Sequence, residues 1–305
     1  MEEQQVDLSV ISPVYNEEAN IVELYFRLSK VLAKLGKSYE IIFIDDGSTD
    51  RTYPLIKDLK VRDDKIKIIK FIRSFGQYLA VIAGFNQAKG KIVVSIEGNL
   101  KSPPEEIPNL LAELDKGNDV VVGSTGVQHI NVIFRPIVHI VNWFVSKLTG
   151  IPITDYECLL MAYKRGAVKM ILQCRERTPF IRALIGWLGL KVGEVTLGMD
   201  KLHSSTKIVS DLLKTDFELI TSFSTLPIRF LSSIGVFMGS LAIILGILWV
   251  IQSFILGIGN SLMIAFLSIL FGIQLFGLAF LSKYVAKIYV QIQGRPYYII
   301  DEVIE

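Results

Sequence analysis

Between Val6 and Gly123 the chain switches repeatedly between two hydrophobic periods. Short runs rich in branched residues, "VDLSVIS", "YEIIFID", "IKIIKF", "KIVVSI" and "DVVVG", read as strands. Between them lie "EEANIVELYFRLSKVLAKLG", "DRTYPLIKDLKVR", "GQYLAVIAGFNQAKG" and "PEEIPNLLAELDKG", which read as helices, the first of them amphipathic. That first helix is expected to stop at Gly36. Strands alternating with helices predict an α/β domain built on a mostly parallel sheet covered on both faces. Ligands of such sheets bind outside the carboxyl ends of the strands.

Further along, the periodicity gives way to unbroken apolarity. Leu231–Leu256 and Ser261–Ser282 contain no charged residue, and "GIGN" at 257–260 joins them. At about 1.5 Å per helical residue, each run can cross a hydrocarbon core of about 30 Å. Backbone groups inside lipid must bond to one another, so a two-helix transmembrane hairpin is expected; a hairpin buried in a soluble core is the alternative. Arg229 precedes the first run, and Lys283, Lys287 and Arg295 follow the second. The bias of basic residues puts both ends, and the large N-terminal domain, in the cytoplasm. Two segments have an interfacial pattern. From 130 to 150, Asn131, Arg135, His139, Asn142 and Ser146 form a narrow polar stripe on an apolar helix, which suits a membrane surface or a core equally. "TKIVSDLLKTDFELITSF", 206–223, runs straight into the first apolar run and is the stronger membrane-surface candidate.

Composition agrees with this mixture. The 305 residues are 51% hydrophobic, with a mean hydropathy of +0.45. A net charge of +2 suggests no nucleic-acid partner. Cys158 and Cys174 form neither a disulfide framework nor a zinc spacing, and His129, His139 and His203 are not paired as metal ligands. "MEEQQVDLSV" has no apolar core of the kind a secretory signal needs.

The chemistry gathers at strand ends. "VISPVYNEEANI" puts Pro13, Tyr15, Asn16 and Glu17 where a strand gives way to a loop and helix. "IIFIDDGSTD" puts Asp45 and Asp46 at a second strand end, before a Gly-Ser turn. Carboxylates there can accept hydrogen bonds from a ribose or a base, or simply cap the next helix. "SIEGNLKSPPEEIP" supplies Glu97 and Asn99 after a fourth strand.

The first two motifs, in this order and near the N-terminus, resemble the family 2 glycosyltransferases with the Rossmann-like GT-A fold. "FIRSFGQYLAVIAGFNQAKGKIVVSIEGNLKSPPEEIP" is similar to the polyprenyl-phosphate branch, which includes dolichol-phosphate mannose synthases and undecaprenyl-phosphate glucose transferases. "FGQYLAVIAGF" and "DYECLLMAYKRGAVKMILQCRERTPFI" look most like the undecaprenyl-phosphate aminoarabinose transferases, and the hairpin with "KIYVQIQGRPYYII" matches bacterial members. The resemblance implies that Pro13, Tyr15, Glu17, Ile44 and Asp46 hold the base and ribose of a nucleotide-sugar, with UDP as the favoured carrier. It puts Glu97, Gly98 and Asn99 in the segment that binds diphosphate and a divalent ion, Mg²⁺ or Mn²⁺. Asp155 matches an acidic residue at the reacting centre, and Lys201 and Lys207 match basic residues that bind phosphate. The implied reaction is inverting transfer of the sugar to a polyprenyl phosphate at the inner membrane, by a homotetramer.

The metal segment departs from the family pattern. Glu97 and Asn99 stand where two Asp are usual, Lys101 stands for Gln, and Gly126 for Arg. "DKLHSSTK" has Lys201 for Arg and Ser204 for Gly. Positions 97, 99, 101 and 126 are formally neutral here and net negative in the family pattern. Asn keeps an oxygen but loses the charge that Mg²⁺ prefers. If residues 97, 99 and 101 are extended, their side chains share one side, and Lys101 reaches the diphosphate. Three readings are open: a transferase with unusual metal use, one that uses Lys101 without metal, and a weak or inactive relative that binds nucleotide, lipid or a partner subunit. A processive polysaccharide synthase would show Gln-x-x-Arg-Trp, and a nucleotidyltransferase a Gly-rich, Lys-containing N-terminal loop; neither is present. The expected organisation is a GT-A domain over 1–205, a membrane-surface segment over 206–228, the hairpin over 229–285 and a cytoplasmic tail over 286–305.

Overall fold

The computed structural model describes residues 6–124, 158–174, 180–198 and 291–305, with isolated helical positions between Ile244 and Tyr289. The chain divides into two compact units, Met1–Asp211 with Arg295–Glu305, and Leu212–Gly294. The first begins with β1 (Leu8–Val14), α1 (Ile21–Lys34), β2 (Tyr39–Asp45), α2 (Thr52–Arg62), β3 (Ile66–Phe71), α3 (Gln77–Gln87) and β4 (Ile92–Ser95). A 3₁₀ turn at Pro104–Glu106 leads into α4 (Ile107–Asp115) and β5 (Val120–Ser124). After residues 125–157 come β6 (Met161–Lys164), α5 (Arg165–Gln173), α6 (Ile181–Trp187), β7 (Val192–Thr196) and, near the C-terminus, β8 (Ile300–Ile304).

Among the described residues the strands form one sheet in the order β7-β5-β6-β4-β1-β2-β3-β8. β4, β1, β2 and β3 are mutually parallel. β6 is antiparallel to both β4 and β5, and β8 is antiparallel to β3. The sheet is therefore mostly parallel, as expected, with β7, β5, β4, β1, β2 and β3 running one way and only β6 and β8 running against them, two reversals that the sequence pattern does not foresee. The reason lies in the tertiary path: β6 returns between β4 and β5, and a strand's own hydrophobic pattern does not state its direction or its neighbours.

Helices cover both faces, which is why β1 and β2 are almost wholly buried and read as continuous apolar runs. Ile21, Leu24, Leu28, Val31 and Leu32 of α1 share a stripe that joins Leu8, Val10, Ile41 and Phe43 in the main core. Each such side chain contributes roughly 1.5–3 kcal/mol by leaving water. Gly36, at φ 63°, follows the helix end as expected. On the other face α3 packs against β1 and β2. Gly84 permits this close approach, since a Cβ there would lie 2.4 Å from Ile11 Cγ2.

No helix among the described residues is long and apolar enough to cross a membrane. The run 231–256 lies outside the described residues except at Ile244, and only scattered helical positions of 261–282 are described. The segments 130–150 and 206–223 lie wholly outside them. In the second unit, the described positions from Leu267 to Ile292 are helical and expose Leu267, Phe271, Leu281, Ile288 and Ile292.

Candidate functional site

The parallel strands β1, β2 and β4 all end on one side, and their exit loops are tied together. Asp46 N–H donates to the Val14 carbonyl at 2.9 Å. Asn16, at φ 54°, accepts from Thr49 N–H at 2.8 Å, and its own N–H donates to Ser48 Oγ at 3.0 Å. Glu17 N–H donates to Thr52 Oγ1 at 2.7 Å, and Arg51 N–H donates to Glu18 at 3.0 Å. Much of "NEE" and "GSTD" is thus spent joining two loops. Gly98 brings the third strand end close, because a Cβ there would lie 2.7 Å from Val14 Cγ1.

These ends enclose a crevice of ≈ 340 Å³. Pro13, Tyr15, Glu17, Asp46, Glu97, Gly98 and Asn99 all line it, as the sequence analysis expects. Ser74, Gly76, Gln77 and Leu159 line it as well, and they carry no signature that singles them out in the sequence. Ser74 and Gly76 belong to the loop after β3, and Leu159 is brought in by the antiparallel β6.

The carboxylates differ sharply. Asp46 accepts three hydrogen bonds, from Ser74 Oγ at 2.6 Å, Phe75 N–H at 2.7 Å and Gly76 N–H at 2.9 Å. Its charge organises the loop after β3. Asp45 accepts from Ser48 N–H at 3.1 Å, while its Oδ2 is buried without a protein partner. Burial, with help from the neighbouring Asp46 charge, raises the Asp45 pKa. Glu97 is only 6% exposed; Oε1 accepts from Leu159 N–H, and Oε2 has no protein partner. Burial raises its pKa, against the opposing effects of the Leu159 N–H, the nearby Ser102 hydroxyl and the Arg182 charge. Arg182 is itself held by the carbonyls of Gly123, at 3.1 Å, and Cys158, at 2.8 Å. The Cys158 thiol beside Glu97 is pushed up to about 12 by burial and by that carboxylate, so it is no nucleophile.

Two expected residues lie elsewhere. Ile44 is fully buried under α3, where its Cδ1 would meet a Cβ on Gly84 at 3.0 Å, and it does not line the crevice. Residues 97–101 are not extended: Leu100 adopts φ 58°, and Asn99 Oδ1 accepts from Lys101 N–H at 3.1 Å. This turn removes the alternation that would have aligned Lys101 with Glu97, and Lys101 does not line the crevice. Asp155, Lys201 and Lys207 lie outside the described residues.

A parallel core flanked by an antiparallel strand, with a crevice at the carboxyl ends and an acidic residue at the β4 exit, defines a glycosyltransferase of the GT-A fold. The description "Glycosyl transferase family 2" matches residues 9–168, and the chain belongs to that family. Over its whole length it is 33% identical to the undecaprenyl-phosphate 4-deoxy-4-formamido-L-arabinose transferase of Pseudomonas aeruginosa (strain LESB58), covering 92% of that protein. It is 34% identical to the transferase of the same name from Aeromonas hydrophila, over 97% of this chain and 94% of that one. The fold is shared with glucosyl-3-phosphoglycerate synthase from Mycobacterium tuberculosis in complex with phosphoglyceric acid, at TM-score 0.52 and 17% identity, over 72% of this chain and 80% of that chain.

Proposed function

We propose that this enzyme moves a sugar of the 4-deoxy-4-formamido-L-arabinose class from a UDP-linked donor to undecaprenyl phosphate. The observation that carries the reading is the crevice, which gathers seven of the nine residues expected to hold the nucleotide diphosphate. The full-length relatives named for that sugar and acceptor support its finer part. Pro13, Tyr15, Glu17 and Asp46 border the base and ribose, and Glu97 to Asn99 border the diphosphate.

In the reaction, an oxygen of the lipid phosphate bonds to the anomeric carbon as the bond to the donor diphosphate breaks. The nucleoside diphosphate leaves and the anomeric configuration inverts. A phosphate monoester has a second pKa of about 6, so the nucleophile is already mostly ionised at neutral pH. Asp155 then orients the acceptor or the sugar as much as it takes a proton, and Lys201 and Lys207 bind phosphate.

Glu97 Oε2, buried and unpartnered, and the Asn99 amide oxygen suit a divalent cation shared with the donor. Mg²⁺ commonly needs only one or two carboxylates besides substrate phosphates. When bound, Mg²⁺ or Mn²⁺ would offset the charge growing on the leaving diphosphate. The single carboxylate implies that the donor supplies most of the cation's ligands. Among the described residues no group of three or more acidic, His or Cys side chains offers an alternative metal site.

The hairpin over 229–285 anchors the enzyme in the inner membrane, with residues 206–228 on the bilayer surface and the GT-A domain in the cytoplasm. The assembly is a homotetramer. Incubation of the purified protein with radiolabelled UDP-sugars and undecaprenyl phosphate tests the activity. Label in the lipid fraction is expected for the formamido-arabinose donor. Binding of UDP without any lipid labelling, across a panel of donors, would overturn the acceptor.

A further inference from the structure

One wall of the crevice is the exit loop of β3, from Ile72 to Gly76, together with Gln77 at the start of α3. From the crevice side this loop is gripped by the three hydrogen bonds to Asp46. It also presses on Gly47, at φ 74°, where a Cβ would lie 2.5 Å from the Arg73 carbonyl carbon. From the far side it is held by the end of the chain. Ile72 N–H donates to the Ile299 carbonyl at 3.2 Å. The Tyr298 ring stacks on Phe71 with centroids 5.0 Å apart and planes 15° apart. Phe71 in turn meets Phe75 edge-on, at 5.7 Å and 88°. Asn86 of α3 donates to the Tyr298 hydroxyl at 3.1 Å.

Closing the β3 edge accounts for β8 itself, since an open edge invites pairing with other chains. Lys70–Asp301 at 2.7 Å and the Tyr53 and Lys57 contacts with Glu302 secure that strand. The Tyr298 and Ile299 contacts fall just before β8, at the point where β3 gives way to the crevice loop. They carry the pairing one step past β8 and bear on Phe71, Ile72 and, through Phe71, on Phe75.

We infer that the segment Arg295–Glu305 positions the donor-binding wall: Tyr298 and Ile299 hold the loop 72–76 in the conformation that Asp46 grips and the nucleotide meets. The segment touches no substrate, so Tyr298 is a positioning residue acting through Phe71 and Phe75. Its position after the second compact unit in the chain means that an element from beyond residues 212–294 completes a wall of the N-terminal site. This rests on the reading of the crevice as a nucleotide site.

The test is calorimetric titration of the full-length, detergent-solubilised protein with UDP. Wild type must bind UDP; if it does not, the reading of the crevice fails before the role of the tail is reached. Given binding, Tyr298→Leu is expected to weaken UDP about fivefold, the scale of one lost aromatic pair. Hydrogen exchange at residues 72–77 should quicken in the same variant. Tyr298→Phe keeps the stack and should bind as wild type does. Glu40→Gln, at the opposite end of the strands, should lower the melting temperature and leave UDP affinity unchanged. Wild-type affinity in Tyr298→Leu, equal losses in Leu and Phe, or an equal loss in Glu40→Gln would each overturn the inference. Should the Leu variant not fold, Tyr298→His keeps a smaller ring and should bind about twofold more weakly than wild type.

Discussion

At the entry end of the central strands, Glu40 is buried among Ser9, Lys67 and Lys89; at the exit end, Asp46 and Glu97 line the crevice and Asp45 is buried next to Asp46 in the chain. The entry cluster is satisfied. Glu40 accepts from Ser9 Oγ at 2.6 Å and Lys89 N–H at 2.7 Å, and pairs with Lys67 at 2.8 Å. Ser9 Oγ also accepts from Gly90 N–H at 2.8 Å. Burial works against the Glu40 charge, but these partners outweigh it and hold its pKa below the ordinary value. At the exit end, Asp45 Oδ2 and Glu97 Oε2 have no protein partner, and both groups are raised by burial. The same residue types on the same strands thus do two jobs. The Glu40 carboxylate has every oxygen matched by the fold, whereas Glu97, on the crevice wall, keeps one oxygen that no protein group meets.

Four experiments test this contrast. The largest effect is expected from Lys67→Met, which leaves Glu40 charged, buried and short of its main partner. Urea unfolding should show a loss of about 2–4 kcal/mol, with UDP affinity unchanged. A change in affinity without a loss of stability would reverse the roles assigned to the two ends. Next, Asp46→Ala releases Ser74, Phe75 and Gly76. Titration should show UDP binding about 30-fold weaker, equivalent to about 2 kcal/mol for lost hydrogen bonds to a charged group. Asp46 would be merely structural if stability fell while affinity held.

The third experiment uses the opposite signs of the two pKa shifts. Glu40 is depressed, so its contribution is full above the unfolded carboxylate value and is lost as pH falls through the lower folded value. Asp45 is raised, so its folded carboxyl holds a proton more tightly, and stability is lost as pH climbs from the unfolded value through the folded one. Chemical denaturation across pH should therefore show Asp45→Asn gaining on wild type as pH rises above the unfolded carboxylate value of about 4, while Glu40→Gln falls behind as pH rises toward that value and runs parallel to wild type above it. Parallel curves for both variants would remove the contrast. The smallest effect is expected from Asn99→Asp, which returns a second carboxylate to the crevice. The Mn²⁺-dependent part of UDP affinity should strengthen about threefold, with binding in chelator unchanged. An equal gain with and without Mn²⁺ would show that position 99 does not face a cation.

Much of this organisation is legible along the chain. β2 and β3 begin and end where "YEIIFID" and "IKIIKF" do, because strands buried on both faces leave a dense apolar signal with sharp polar edges. The crevice residues at the exits of β1, β2 and β4 are found the same way, since motif and strand end coincide. Lys101 and Ile44 are the instructive departures. The Lys101 assignment assumed an extended chain, and the Asn99 turn with Leu100 at positive φ bends it away. Ile44 faces α3 because alternation along β2 sends it there, beneath Gly84. β6, β7 and β8 have short patterns that do not announce a partner, and β8 alternates little because its residues are half-buried or exposed.

The amino-acid sequence alone determined the alternation of strands and helices, the strand-end carboxylates and the long uncharged runs, because each depends on neighbours a few residues apart and on the period of the local backbone. Tertiary structure decided which carboxylates are satisfied, where β6 inserts, and that the C-terminal segment braces the loop after β3. Those outcomes depend on groups far apart in the chain, such as Glu97 with Leu159 and Phe71 with Tyr298, whose meeting is set by packing and leaves no mark in the pattern of either segment.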